Sequence, residues 1–303
     1  MKVAILGSGF GLYGYLPALL GLGCAVVLPE RYRAVLEGRS ELADFARGIE
    51  WVADEGAALD RAEALVLARR PADQAALIAD LLRRPRLLRL LLEKPLAPNP
   101  EEAERFQAQL LASGKLVRIG YILGFTDWGQ RLIAQSLEPQ SRSDLSIRWS
   151  FRAHHYATGR QNWKRSHAEG GGALRFYGIQ LIALAVEMGF DRALRSTITA
   201  VQSGEVESWS ASLSDKAGRR CELLVDSNTE PNRFEVTSLA TAETWQLDNP
   251  FATTIAEGAD RRVPLLSSMC AEMLSSAQPT LEHHLQTVEL WQAIEAITTN
   301  QSN

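Results

Sequence analysis

Glycines Gly7, Gly9 and Gly11 in LGSGFG have the spacing of a turn that brings backbone N–H groups close to a diphosphate at the start of a helix. Phe10 lies inside the same turn. About 20 residues further on, where a dinucleotide site reads its ribose, VLPERYR offers two opposite chemistries. The carboxylate of Glu30 can accept from ribose hydroxyls, whereas the guanidinium of Arg31 can hold a 2′-phosphate, so NAD and NADP both stay open. Lys94 stands between Glu93 and Pro95 in EKPLAPN, a cation able to donate to, or protonate, a carbonyl oxygen.

A second concentration of chemistry lies in LSIRWSFRAHHYATGRQNWKRSHAEGGG. Read as a strand through Tyr156, it places Arg148, Ser150, Arg152, His154 and Tyr156 on one face, with Ile147, Trp149, Phe151, Ala153 and His155 on the other. Guanidinium and imidazole groups in a row suit a phosphate or carboxylate. Trp163, with Lys164 or Arg165, suits a base or a sugar. An exposed sheet face or a subunit interface would carry the same residues. His167, three residues before the glycines, is a candidate acid/base, and the helix that follows carries Phe176, Tyr177 and Gln180.

These residues need elements to position them. KVAIL, CAVVL, ALVLA and LLRLLLE are short apolar runs separated by helical patterns, as buried parallel strands of βαβ units require. Each candidate site residue of the first region then falls at a strand's carboxyl end, where open α/β sheets bind ligands. The third small residue of the glycine fingerprint would fall at Leu12, and a bulky side chain there should displace the helix from the strand or alter how the diphosphate sits. Asn99, Pro100, Glu101 and Glu102 predict a helix start, and LVRIG the next strand. From about Leu145 the pattern alternates, over Leu145–His155, Leu194–Gln202, Val206–Leu213, Arg219–Asp226, Phe234–Leu239 and Glu243–Leu247, which predicts a mainly antiparallel sheet with one face buried. A helix over Leu281–Ile297 closes the chain.

LGSGFGLYGYLPAL, ALVLARRPADQ, LEKPLAPNPEEA and GGGALRFYGIQLIAL, in that order over most of the chain, resemble the glucose-fructose oxidoreductase / inositol dehydrogenase family, Gfo/Idh/MocA. The resemblance implies an α/β architecture: a Rossmann NAD(P)-binding domain over 1–121, then an α+β domain with an open, mainly antiparallel sheet over 122–303 for substrate binding and oligomerisation. It implies NAD or NADP as cofactor, held by the glycine turn, Arg69, Pro71, Glu93 and Lys94, and redox chemistry at a sugar or cyclitol hydroxyl or keto group. Lys94 matches the family's active-site lysine. The family's acid, histidine and second acid fall on Phe176, Gln180 and Ala183, which at i, i+4 and i+7 would share one helix face. Gln180 can orient a substrate but cannot take a proton. The proton relay would then pass to Lys94, Tyr177 or a histidine such as His167, or the domain would bind a dinucleotide or sugar without turnover, or cofactor binding would serve a non-redox task.

With 303 residues the chain has room for two domains, and a net charge of −4 gives no global pull toward nucleic acid or an anionic membrane. The expected partner is a small, sugar-like molecule, neutral or anionic, with a second copy of the chain in a homodimer or homotetramer. Cys24, Cys221 and Cys270 have no metal-ligand or disulfide-framework spacing, no long apolar run appears, and a cytoplasmic protein without a metal is expected.

Overall fold

The computed structural model describes residues 1–138, 144–200, 204–251, 260–275 and 281–301. Two compact units emerge, one from Met1–Leu96, Phe106–Ile122 and Thr253–Leu281, the other from Ala97–Arg105, Leu123–Ala252 and Glu282–Asn303.

The first unit is built on six strands: β1 (Lys2–Leu6), β2 (Ala25–Pro29), β3 (Ile49–Val52), β4 (Ala64–Leu67), β5 (Arg89–Leu92) and β6 (Leu116–Ile119). All pairings are parallel, in the order β3-β2-β1-β4-β5-β6. This is the doubly wound Rossmann order, with its reversal between β1 and β4. Val3 to Leu6 and Ala64 to Leu67 are fully buried, which is why these strands read as unbroken apolar runs. The helix Val263–Leu274, which the sequence reading left without an element, belongs to this unit, where Arg118 pairs with Glu272 at 2.5 Å.

The second unit carries β7 (Leu145–Arg152), β8 (Arg192–Ala200), β9 (Val206–Ser214), β10 (Arg220–Asp226), β11 (Asn228–Ser238), β12 (Thr244–Leu247) and β13 (Thr298–Asn300). Their order is β12-β11-β7-β10-β9-β8-β13. β7 with β10 and β8 with β13 are parallel, and the other four pairings are antiparallel. The α/β fold with a mainly antiparallel second sheet is therefore as expected, apart from the short edge strand β13. The last positions of the Leu194–Gln202 stretch lie outside the described residues.

Two local expectations need correction. Strand β7 ends at Arg152, and His154–Ala157 forms a single helical turn. His154 and Tyr156 therefore leave the row begun by Arg148 and Ser150: His154 is exposed, and Tyr156 is buried at 8%. The helix after the three glycines opens as a π-helix over Ala173–Gly178 before Ile179–Glu187 becomes α-helical. Regular α spacing thus does not link Phe176 to Gln180 and Ala183. Phe176 is half-buried, while Gln180 and Ala183 are buried at 3% and 1%.

Candidate functional site

The glycine turn follows from steric demands that differ at each position. Gly7 has φ 140°, a conformation L residues avoid, and a Cβ there would overlap the Ala68 carbonyl. Its N–H donates to the hydroxyl of Tyr32 at 3.0 Å, so the end of β2 holds the turn in place. A Cβ at Gly11 would press on Ile5 at 2.9 Å. A Cβ at Gly9 would meet nothing within 4 Å, and the residue is exposed, which leaves room there for a ligand. Leu12 is fully buried, and the helix accommodates it by opening as a π-helix over Gly11–Tyr15. Phe10 folds back toward that helix: its ring lies 5.1 Å from Tyr15 and 5.4 Å from Tyr13, with the Arg262 guanidinium 4.2 Å above it. That contact explains Gly14, where any side chain would overlap Phe10.

Beside the turn is a cleft of about 490 Å³ at the carboxyl ends of β1, β2 and β4. Gly7, Gly9, Arg31, Tyr32, Arg69 and Arg70 line it. Glu55, at the start of the helix Glu55–Arg61, pairs with both Arg31 and Arg69. Glu30 faces elsewhere in its bonding: it pairs with Arg33 at 2.5 Å, and that hydrogen bond holds its carboxyl below the usual range. Pro71 is buried at the first turn of the helix Pro71–Ala75. Neither Tyr32 nor Glu55 was singled out in the sequence; their pairing spans 23 residues, and nothing local announces it.

At the end of β5, Tyr15 donates a hydrogen bond to Glu93, and Lys94 follows, half-buried. Burial pushes the Glu93 carboxyl up, opposed by the charge of Lys94. Burial and the neighbouring carboxylate push the Tyr15 phenol well up. Gln74 fixes the turn by donating to the carbonyls of Glu93 and Leu96 at 2.8 and 3.1 Å. The cofactor-binding set expected around Lys94 is thus anchored by two side chains, Tyr15 and Gln74, that the sequence reading did not name.

In the second unit, Tyr177 is packed among aromatic rings: Phe151 and Phe176 at 4.8 Å, Trp149 at 5.7 Å and His155, stacked, at 6.4 Å. Burial pushes its phenol up, so it is protonated at neutral pH. Trp163 meets Phe176 edge-on at 5.2 Å, and the Lys164 ammonium lies 5.1 Å from the same ring. Trp163, Lys164, Phe176 and Tyr177 do come together. His167 is half-buried, and burial with the nearby Arg175 depresses its pKa to about 4. Burial, with Lys164 and Arg165 nearby, does the same for His155, also to about 4. Arg152 and His154 are both exposed, Arg152 pairing with Glu230 at 3.4 Å. Arg175 is tied to Glu295 by two hydrogen bonds of 2.8 and 2.5 Å and to the His167 carbonyl at 3.1 Å, a structural clamp on the π-helix. His283 and His284 are buried, His283 bonded to the Ala183 carbonyl at 2.9 Å. The cysteines are free and buried. Among the described residues no group of His, Cys, Asp and Glu could hold a metal, and no helix is long and apolar enough to cross a membrane.

No family model and no curated protein matches the chain. Its fold is nevertheless shared with solved structures over almost the whole chain. GenD2 from gentamicin A biosynthesis, solved with NAD, superposes with a TM-score of 0.72 at 18% identity, covering 98% of this chain and 93% of its own. KijD10, a 3-ketoreductase from Actinomadura kijaniata solved with NADP and TDP-benzene, gives 0.73 at 19% identity, covering 100% and 99%. The WlbA (WbpB) dehydrogenase from Thermus thermophilus, solved with NAD and UDP-GlcNAcA, gives 0.74 at 16% identity, covering 100% and 97%. At such identities the likeness is one of fold.

Proposed function

We propose that the chain is an NAD(P)-dependent oxidoreductase acting on a hydroxyl or keto group of a sugar, most naturally one carried by a nucleotide. The observation that carries this reading is the cleft beside Gly9, at the reversal point of a Rossmann sheet, in a chain that shares its whole fold with dinucleotide-bound proteins, a dehydrogenase and a ketoreductase among them. The residues present fit a dinucleotide: Gly9 leaves open space for the diphosphate, and arginines line the ribose side. Bound there, the nicotinamide would supply or accept a hydride.

In this reading residues 1–121, with the helix Val263–Leu274, hold the cofactor, and most of the remainder binds substrate and joins subunits in a homodimer or homotetramer. Lys94 binds the reacting oxygen: in the reducing direction its ammonium gives up the proton that the oxygen takes as the carbon receives hydride. Tyr177, protonated at neutral pH, is a second donor, and His167, neutral there, an acceptor. Trp163, Phe176 and Gln180 shape the sugar site, and the exposed Arg152 and His154 meet an anionic part of the substrate. Buried thiols and the absence, among the described residues, of a helix able to cross a membrane suit a cytoplasmic enzyme.

A second reading, a ligand-binding relative without turnover, is favoured by one observation. Gln180 and Ala183, at positions where the resembling family carries ionisable groups, are buried and cannot exchange protons. The test is nicotinamide absorbance in the presence of TDP- and UDP-linked keto sugars, with wild type and Lys94→Ala. Turnover lost in the variant supports the enzyme; cofactor binding with no turnover in the wild type leaves the binder.

A further inference from the structure

We propose that the cleft selects NADP(H) over NAD(H), with Arg31, Arg69 and Arg70 receiving the 2′-phosphate of the adenosine ribose. The inference rests on the dinucleotide reading above and adds what that reading leaves open.

A site built for NAD presents a carboxylate at the end of the second strand, where it accepts from both ribose hydroxyls. Here Pro29 ends that strand and has no side-chain acceptor, while Glu30, the next residue, is exposed and engaged by Arg33 through bonds of 2.5 and 3.2 Å. Glu30 does not line the cleft, whereas Arg31 does. From the end of β4, Arg69 and Arg70 line it too, so two separate strand ends aim guanidinium groups at one space.

The counter-charges support the assignment. Glu55 bonds both Arg31 and Arg69, and Asp73 holds Arg70 at 2.8 Å. Three cations thus face two carboxylates, and each carboxylate fixes a guanidinium in place. Such pre-set guanidinium groups can chelate a phosphate, whose charge near −2 outcompetes a carboxylate for them. The unphosphorylated ribose of NAD(H) would meet this arginine cluster without gaining an ionic bond. Tyr32, buried at 4% with the Arg31 guanidinium 5.3 Å from its ring, keeps the base of the cluster rigid.

The experiment is titration of the full-length protein with NADPH and NADH, following nicotinamide fluorescence, for wild type, Arg31→Ala and Arg70→Ala, with 2′,5′-ADP and 5′-AMP as competitors. NADPH is expected to bind at least about tenfold more tightly than NADH, a difference of about 1.4 kcal/mol. Each substitution should remove most of that preference while moving NADH affinity less than about twofold, and 2′,5′-ADP should displace NADPH far better than 5′-AMP. Circular dichroism confirms that the exposed-site variants fold. Equal or tighter binding of NADH, or a loss in the variants shared by both cofactors, overturns the selectivity while leaving the dinucleotide reading intact. Binding of neither at millimolar concentration overturns both.

Discussion

The phenol of Tyr15 donates its hydrogen bond to the carboxylate of Glu93, 78 residues away, immediately before Lys94. The pair connects the first helix to the end of β5 and joins the glycine turn's neighbourhood to the lysine. Burial pushes the Glu93 carboxyl up, and both Lys94 and the Tyr15 hydrogen bond pull it back. Tyr15→Phe removes the donor and is expected to cost about 1.5–3 kcal/mol at neutral pH, the range for a bond to a charged group. The variant's Glu93 then has a higher pKa still. Its deficit against wild type should therefore shrink as pH falls and the carboxyl of both proteins becomes protonated. Urea denaturation at neutral and acidic pH reads this; a deficit independent of pH would show that the bond to the carboxylate is not what Tyr15 contributes.

Gly7 and Gly9, two residues apart, should respond to alanine in opposite ways. At Gly7 the φ of 140° and overlap with the Ala68 carbonyl add strain to a steric clash, and Gly7→Ala is expected to destabilise the protein by about 3 kcal/mol or more. Gly9→Ala meets no neighbour and should change stability by no more than about 0.5 kcal/mol. Its methyl group stands where the diphosphate would approach, so reduced-cofactor affinity should fall about tenfold. Thermal melts and fluorescence titration separate the two effects.

The contrast between these glycines also marks what a sequence can carry. Five strands of the first sheet were legible because buried parallel strands are unbroken apolar runs, and Gly7–Gly9–Gly11 follows the first of them; the edge strand β3 was not, since Glu50 and Trp51 in its IEWV are only half-buried and break the apolar run. The second sheet's long strands were legible by alternation. β11 was placed late, at Phe234, because Pro231 interrupts its pattern, whereas the strand begins at Asn228 and continues through a register shift near that proline. The helical turn at His154 and the two π-helical openings change the angular step between residues without changing composition, so faces drawn at 100° or 180° per residue misplaced His154, Tyr156 and Phe176. The helix Val263–Leu274 is apolar enough to read as a helix, yet its return to the first unit depends on partners such as Arg118 that lie far back in the chain. At the site, Gly9, Arg31 and Lys94 were named from position. Tyr32, Glu55 and Tyr15 were not, since each matters through a bond across more than 20 residues.

Lys94 gives the sharpest functional prediction. If its ammonium exchanges the proton at the reacting oxygen, Lys94→Ala should lower kcat by about 10²–10⁴-fold while cofactor affinity moves less than about threefold. Lys94→Arg keeps the charge, but a guanidinium does not give up its proton at working pH. That variant should recover KM more than kcat. Single-turnover measurements of nicotinamide oxidation test both; a Lys94→Ala enzyme with unchanged kcat would move the proton chemistry to Tyr177 or His167.

The final prediction concerns acid stability. His155 and His167 each have a folded-state pKa of about 4, below the ordinary histidine value, because burial disfavours the imidazolium and nearby cations add to it. In the unfolded chain both titrate near ~6.5. Between those values the unfolded state binds more protons than the folded one, so the histidines' contribution to stability should fall as pH drops from about 6.5 toward 4 and level off below. His155→Phe keeps a ring against Tyr177, stacked at 6.4 Å, and removes one of the two titrations. Denaturant midpoints of that variant should therefore decline less steeply over the same interval, even though its stability at neutral pH changes little. An unaltered slope would mean that His155 takes up its proton as readily in the folded protein as in the unfolded one, and that the aromatic packing around Tyr177 is open to water rather than closed over it.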